Sequence, residues 1–312
     1  MNENLPIRDG YGKALIQLGK NNPNIIVMDG DLSTSTRTNW FAEKFQDRFI
    51  DVGIAEQNMI AIAAGLSLEG KIPFATTYGT FVCGRAFDQI RNTVCYSKLN
   101  VKIVGSHGGI SVGADGGSHQ ALEDIALMRI LPNMTVVVPC DHIQAYKATM
   151  QLAKLKGPAY LRLAREATAT ITKREDDFII GKADILVEGK DCAIFFAGTI
   201  GAEVIKAAKI LRAKKIESTV INMHTIKPID KEIIIKYAKK FGKMIIVEEH
   251  LKAGGLGSAI SEVLAEKYPA KVKNIAIDDR FGESGQPDVL LDAFGLSGER
   301  ICEQVERFLL EE

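Results

Sequence analysis

The sequence predicts an α/β protein of two doubly wound domains, each a mostly parallel sheet with helices on both faces. Three observations predict it. Short β-branched runs alternate with helical segments along the 312 residues, the alternation lapses once between about 166 and 190, and a second series then begins. Strands separated by helical crossovers pair in parallel rather than as hairpins. The length suits two such units with substantial cores.

In the first series the strand candidates are 24–29 (NIIVMD), 48–52 (RFIDV), 72–77 (IPFATT), 101–106 (VKIVGS), 135–139 (TVVVP) and 159–164 (AYLRLA). Helices are expected between them at 9–20, 55–68, 81–98, 120–130 and 142–155. The stretch "TKREDDFIIGKADILVEGKD" is charged and without period, which sets a first domain at 1–166, a linker at 167–190 and a second domain at 191–312. There, strands are expected at 192–198, 218–223, 243–249 and 272–277, and helices near 202–214, 230–240 and 256–267.

Charge narrows the function. Lysine plus arginine equals aspartate plus glutamate at 39 each, so no overall field favours nucleic acid or an anionic membrane, and an acidic ligand must be held by local groups. The N-terminus "MNENLPIRDG" shows no secretory pattern, and no apolar run has the length of a membrane span. Five widely spread cysteines, none in a CxxC pair, point to a reduced, cytoplasmic protein.

The segment with the most chemistry is "GSHGGISVGADGGSHQ" at 105–120, with six glycines, His107, His119 and Asp115 directly after a strand. A glycine cluster means a sharp turn or a close approach to something, and ligands of parallel sheets lie beyond the carboxyl ends of strands. The two histidines match no usual metal-ligand spacing, and both a plain loop and a polar substrate site remain open. No GxxxxGK[ST] occurs, "AGGLGSAISEVLAE" has the wrong spacing for a dinucleotide loop, and "FFAGTIGAEV" reads as a βα turn.

Glu56 opens the apolar helix of "DVGIAEQNMIAIAAGLSLEG", which must be buried in a core or a subunit interface. A first-turn carboxylate gains from the helix dipole, and one set against apolar surface can also share a proton, so both roles stay open. The run "FATTYGTFVCGRAFDQIR" supplies Tyr78 and Phe81, suited to core packing or to a flat heteroaromatic ligand.

Together these segments resemble the C-terminal half of transketolase over essentially the whole chain. "DVGIAEQNM" resembles the segment with the cofactor-activating glutamate, and "SHGGISVGADGGSHQALEDIALMRILPNMTVVVPCD" the substrate loop and following strand. "GPAYLRLAR" resembles the last strand of the pyrimidine-binding domain and "FGESGQPDVLLDAFGLSGERI" the C-terminal segment. The resemblance implies thiamine diphosphate chemistry, in which a two-carbon ketol unit moves from a ketose phosphate to an aldose phosphate in pentose phosphate metabolism. Glu56 is then the residue that hydrogen-bonds N1′ of the aminopyrimidine, and Phe81 the ring stacked on it. Tyr78 is a neighbouring aromatic and Asp31 an aspartate near the cofactor. His107, Asp115 and His119 are implied at the substrate hydroxyls, and Arg8, Ser35 and Arg165 at the sugar phosphate. The helix departs from the usual pattern around Gly84–Arg85.

The family's Mg²⁺-binding GDG motif is not in its setting here, since "MDGDLS" does not supply it. The resemblance therefore implies an N-terminal partner subunit that carries the diphosphate and Mg²⁺ contacts, in an α2β2 assembly, and leaves assembly as the role of the second domain. Alternatives are a 1-deoxyxylulose-5-phosphate synthase-like enzyme, a 2-oxoacid dehydrogenase β-subunit-like enzyme, and a non-catalytic scaffold paralogue.

Overall fold

Aliphatic runs without polar alternation form strands buried on both faces, as a parallel sheet between helix layers requires. The computed structural model describes residues 4–311; positions 1–3 and 312, the outer ends of the two expected domains, lie outside the described residues. The first half contains β1 (Asn4–Pro6), α1 (Ile7–Asn21), β2 (Ile25–Asp29), the one-turn helices α2 (Ser33–Thr36) and α3 (Asn39–Ala42), and β3 (Phe49–Asp51). It continues with α4 (Glu56–Leu68), β4 (Ile72–Tyr78), α5 (Gly79–Arg85), a π-helical turn at Gln89–Cys95 and β5 (Lys102–Ser106). A 3₁₀ segment at Ile110–Asp115, α6 (Asp124–Arg129), β6 (Thr135–Val137), α7 (His142–Leu152), β7 (Ala159–Arg162) and β8 (Ala167–Ala169) follow.

The second half contains β9 (Asp184–Val187), β10 (Cys192–Ala197), α8 (Gly201–Ala213), β11 (Ser218–Asn222), β12 (Thr225–Lys227), α9 (Lys231–Phe241) and β13 (Lys243–Leu251). It ends with α10 (Leu256–Lys267), β14 (Lys271–Ile277), α11 (Pro287–Ala293) and α12 (Gly298–Leu310).

The larger sheet has the order β12-β6-β7-β5-β4-β2-β3, parallel except for β12, and the smaller β14-β13-β10-β11-β9, parallel except for β9. In the larger sheet Asp29 pairs with Thr76 and with Asp51, and Tyr78 pairs with Ser106. Strands β2, β3, β4 and β5 therefore deliver their last residues to one edge.

Several elements differ from the sequence expectation. The expected helix 81–98 stops at Arg85 and resumes as the π turn. The expected helix 120–130 starts only at Asp124, because Ala121 is engaged by the glycine loop through the Gly109 amide. The expected linker 167–190 holds β8, which pairs with β1, and β9, which joins the smaller sheet. Strand β12, deep in the second half, crosses back to pair with β6. The halves also share one apolar cluster that joins Val136 and Val138 to Phe195, Ile221 and Met223.

Helix α4 buries Met59, Ile60, Ala63 and Ala64, while its other face, Gln57, Asn58, Ala61, Gly65 and Leu68, is exposed. Ile54 and Tyr96 are also exposed, leaving apolar side chains on this flank uncovered. Among the described residues no helix is long and apolar enough to cross a membrane, and Cys83, Cys95, Cys140, Cys192 and Cys302 are free and buried.

Helices α1 and α7 touch at Gly10, where an added Cβ would run into the backbone carbonyl of His142. Backbone has little room to yield, so Gly10→Ala is expected to cost about 1–3 kcal/mol of stability. Equilibrium denaturation measures it, and an unchanged unfolding free energy would show that the helices separate freely.

Candidate active site

The shared strand edge gathers aromatic rings. Tyr78 ends β4; His107 follows β5 with a left-handed φ of 61°, which lays its imidazole on Tyr78 with centroids 3.7 Å apart. Phe81, in the first turn of α5, stacks on Tyr78 at 5.5 Å, and His119 meets both rings edge-on at 6.1 and 5.4 Å. His107 Nδ1 is 2.9 Å from Ser106 Oγ. Burial, then the charges of Arg8 and Arg165, His119 and Arg37, pushes the His107 pKa down to about 3. At neutral pH it is a neutral hydrogen-bonding ring.

Glu56 heads α4 and is buried, with its Oε1 2.8 Å from Arg85 Nη1. The Arg85 guanidinium lies over Phe81, with Cζ 4.0 Å from the ring centroid. One planar cation thus joins the carboxylate to the aromatic face. The sequence pattern singled out Glu56 and Phe81, whereas Arg85 stood out only as part of a departure from a familiar pattern.

A cationic group flanks the rings. Arg8, in the first turn of α1, donates from Nη1 to the Ser35 carbonyl at 2.9 Å, and its buried Nε has no partner. Burial, with Arg37 and Arg165 nearby, lowers its pKa. Arg165 donates to the Val112 carbonyl at 2.7 Å, with Nη1 3.6 Å from Asp115 Oδ1. Arg37, which no sequence motif marks, is paired with Asp9 at 2.8 Å. Ser35 meets Arg8 through its carbonyl.

Asp31 is exposed just past β2, with φ at 65° and its amide donating to Asp51 Oδ1 at 3.1 Å. Its neighbour Asp29 is the buried one. It accepts from the Leu32 amide and the Thr36 and Thr38 hydroxyls at 2.6–2.8 Å, and burial lifts its pKa to about 6. This network fixes the turn that carries Ser35. Among the described residues no group of three or more His, Cys, Asp and Glu side chains is arranged to hold a metal ion.

The second half does more than the assembly role expected of it, because it shapes the glycine loop. Glu249 of β13 is buried and accepts from the Ser111 amide at 2.5 Å. Gly109 passes it with φ at 92°, and a Cβ there would strike its carboxylate. Ser284 Oγ donates to the Ala114 carbonyl at 2.5 Å, and Gln120 Nε2 to the carbonyls of Ile110 and Glu283 at 3.1 and 2.9 Å. The visible signals were the paired acids ending "KMIIVEE" and the polar turn "FGESGQPD", but only tertiary contact joins them to residues 109–120.

A doubly wound sheet with a buried acid, stacked rings and arginines at its strand ends defines an α/β ligand-binding domain, here completed by a second α/β unit. The profile of the transketolase pyrimidine-binding domain matches residues 3–185, and that of the transketolase C-terminal domain matches 181–301. The chain belongs to the transketolase family, whose members are transferases that work with thiamine diphosphate. A Methanocaldococcus jannaschii protein named for a transketolase C-terminal section is 47% identical over 96% of this chain and 95% of its own length. The 6-deoxy-6-sulfo-D-fructose transketolase subunit of Clostridium sp. (strain MSTE9) is 39% identical over 95% of this chain and 92% of its own. The solved structure of a split gene transketolase, an inactive beta4 tetramer, superposes with a TM-score of 0.91 at 46% identity over 98% of each chain.

Glu249→Ala removes the acceptor that the Ser111 amide uses. Exchange of that amide in deuterated buffer is expected to speed up by about 10- to 100-fold, the weight of a charged hydrogen bond. Unchanged exchange would mean that the loop holds its own shape.

Proposed function

We propose that this chain is the pyrimidine-domain subunit of a split transketolase. The enzyme moves a two-carbon ketol unit from a ketose phosphate, such as xylulose 5-phosphate, to an aldose phosphate. The observation that carries the reading is the meeting of Glu56 and Phe81 over one planar cation, at the mouth of the loop bearing His107, Asp115 and His119. A carboxylate and an aromatic face that together take a planar donor fit the aminopyrimidine of thiamine diphosphate. When bound, thiamine diphosphate would supply the carbon nucleophile that ketol transfer needs.

The chain's own groups then have distinct tasks. Glu56 would share a proton with the pyrimidine ring, and Phe81 and Tyr78 would hold that ring, with Asp31 near the cofactor. Neutral His107, together with His119, supplies the catalytic imidazoles, exchanging hydrogen bonds with the substrate's hydroxyls and carbonyl, and Asp115 orients those hydroxyls. Arg8 and Arg165, with Ser35, grip the phosphate; the unpartnered Arg8 Nε leaves a donor free for an anion.

Diphosphate and Mg²⁺ contacts fall to an N-terminal partner subunit in an α2β2 assembly. The exposed face of α4, with exposed Ile54 just before the helix and Leu68 at its end, supports this as the docking side. Family relatives named as a section or a subunit support it too. Within the chain, residues 1–166 serve as the pyrimidine domain, 167–190 as the connection and 191–312 as the C-terminal domain. We assign the enzyme to the cytoplasm and to pentose phosphate metabolism.

In the assembled enzyme, Glu56→Ala is expected to lower turnover by about 10²- to 10⁴-fold, the usual weight of a lost proton-transfer group, with little change in thermal midpoint. Steady-state rates on xylulose 5-phosphate and ribose 5-phosphate measure it. Unchanged turnover would leave the chain only a scaffold role.

A further inference from the structure

Arg85 ends α5, and Gln57 Nε2 donates to its carbonyl oxygen at 2.9 Å, which fixes its backbone beside the start of α4. From there its guanidinium reaches two groups at once, the Glu56 carboxylate at 2.8 Å and the face of Phe81 at 4.0 Å. The two partners differ in setting. The Glu56 side chain is 5% exposed, whereas the Arg85 side chain is 47% exposed, so the arginine has open space to leave into. The chain turns away immediately afterwards, through Ala86 into the π turn at Gln89–Cys95, and interruptions of this kind in a helix recur at functional sites.

A guanidinium is planar and delocalised, stacks on aromatic faces and presents a row of N–H donors. Stacked on Phe81 and donating to Glu56, it satisfies the same pair of groups that a flat, hydrogen-bond-donating heterocycle would. Without it, the nearly buried Glu56 carboxylate would face solvent loss with no cationic partner.

We propose that Arg85 is a stand-in for the cofactor's aminopyrimidine: in the free chain it occupies the place between Glu56 and Phe81, and it must swing out before the cofactor can enter. The proposal rests on the reading of Glu56 and Phe81 as the thiamine site. Cofactor entry is then an exchange, one charge-assisted bond and one stacked face given up for another pair. Apparent affinity is reduced by the fraction of molecules in which Arg85 is in place. The half-exposed ion pair is weak enough to open readily yet strong enough to keep the acid neutralised until the ring arrives.

The test is calorimetric titration of thiamine diphosphate with Mg²⁺ into the chain assembled with its partner subunit, in the wild type and in Arg85→Ala, Arg85→Lys and Glu56→Gln. Arg85→Ala is expected to tighten Kd by about three- to tenfold, the combined weight of one half-exposed ion pair and one cation–π contact. Arg85→Lys keeps the charge without the planar stack, so it shifts Kd the same way by less, and it decides the matter if the alanine variant does not fold. Glu56→Gln is expected to weaken binding by at least about tenfold. An unchanged or weaker Kd in both Arg85 variants, with Glu56→Gln weakened, would overturn the stand-in role and leave the thiamine site intact. An unchanged Kd in all three would overturn the site and the stand-in together.

Discussion

One buried guanidinium ties the parts of this protein together. Arg162, at the end of β7, donates from Nε to Asp124 at 2.9 Å and from Nη2 to the carbonyls of Ala121 and Glu249, both at 3.0 Å. It thereby fixes the start of α6, the end of the glycine loop and the strand of the second half that supports the loop. Tyr160 adds a hydroxyl to the same carboxylate at 2.7 Å. Both ions are almost wholly buried, so removing one partner would strand the other charge at a cost of about 3–5 kcal/mol. The loop with His107, Asp115 and His119 can be rich in glycine because its shape is imposed from outside.

The same division runs through the site. Local backbone geometry, the parallel register that ends β2 to β5 at one edge, delivers Tyr78 and His107 to one another. Charge is supplied separately, by Arg8, Arg37 and Arg165 beside the rings. A chain with no net charge can hold an anion this way, because a few unscreened donors in a partly buried setting outweigh any long-range field. The same cations, after burial, keep His107 neutral.

Much of the architecture was legible in the sequence because strands, helices and glycine turns are local patterns. The runs around Ile25–Asp29, Lys102–Ser106 and Lys243–Leu251 announce themselves by composition, and Glu56 stands out at the head of an apolar helix. What was not legible depends on distant partners. Residues 184–187 sit in a charged, aperiodic stretch and become a strand only because β11 offers an edge. Thr225–Lys227 likewise becomes a strand only where β6 is exposed to it. The helix expected through Arg85 breaks where that residue turns to Glu56, 29 positions back in the chain. Glu249 meets Ser111 across 138 positions, and no period in either segment connects them. The apolar character of α4 predicted burial in a core or an interface; the chain itself buries one face and leaves the other exposed.

Whether this chain supplies the pyrimidine half of a split transketolase is decided by an activity measurement on the chain with and without its N-terminal partner. Triose phosphate release from xylulose 5-phosphate plus ribose 5-phosphate, with Mg²⁺ and thiamine diphosphate present, is the quantity to follow. Release by the complex and none by the chain alone is the expected result. Equal release by the isolated chain, or none from the complex, would rule out a split transketolase.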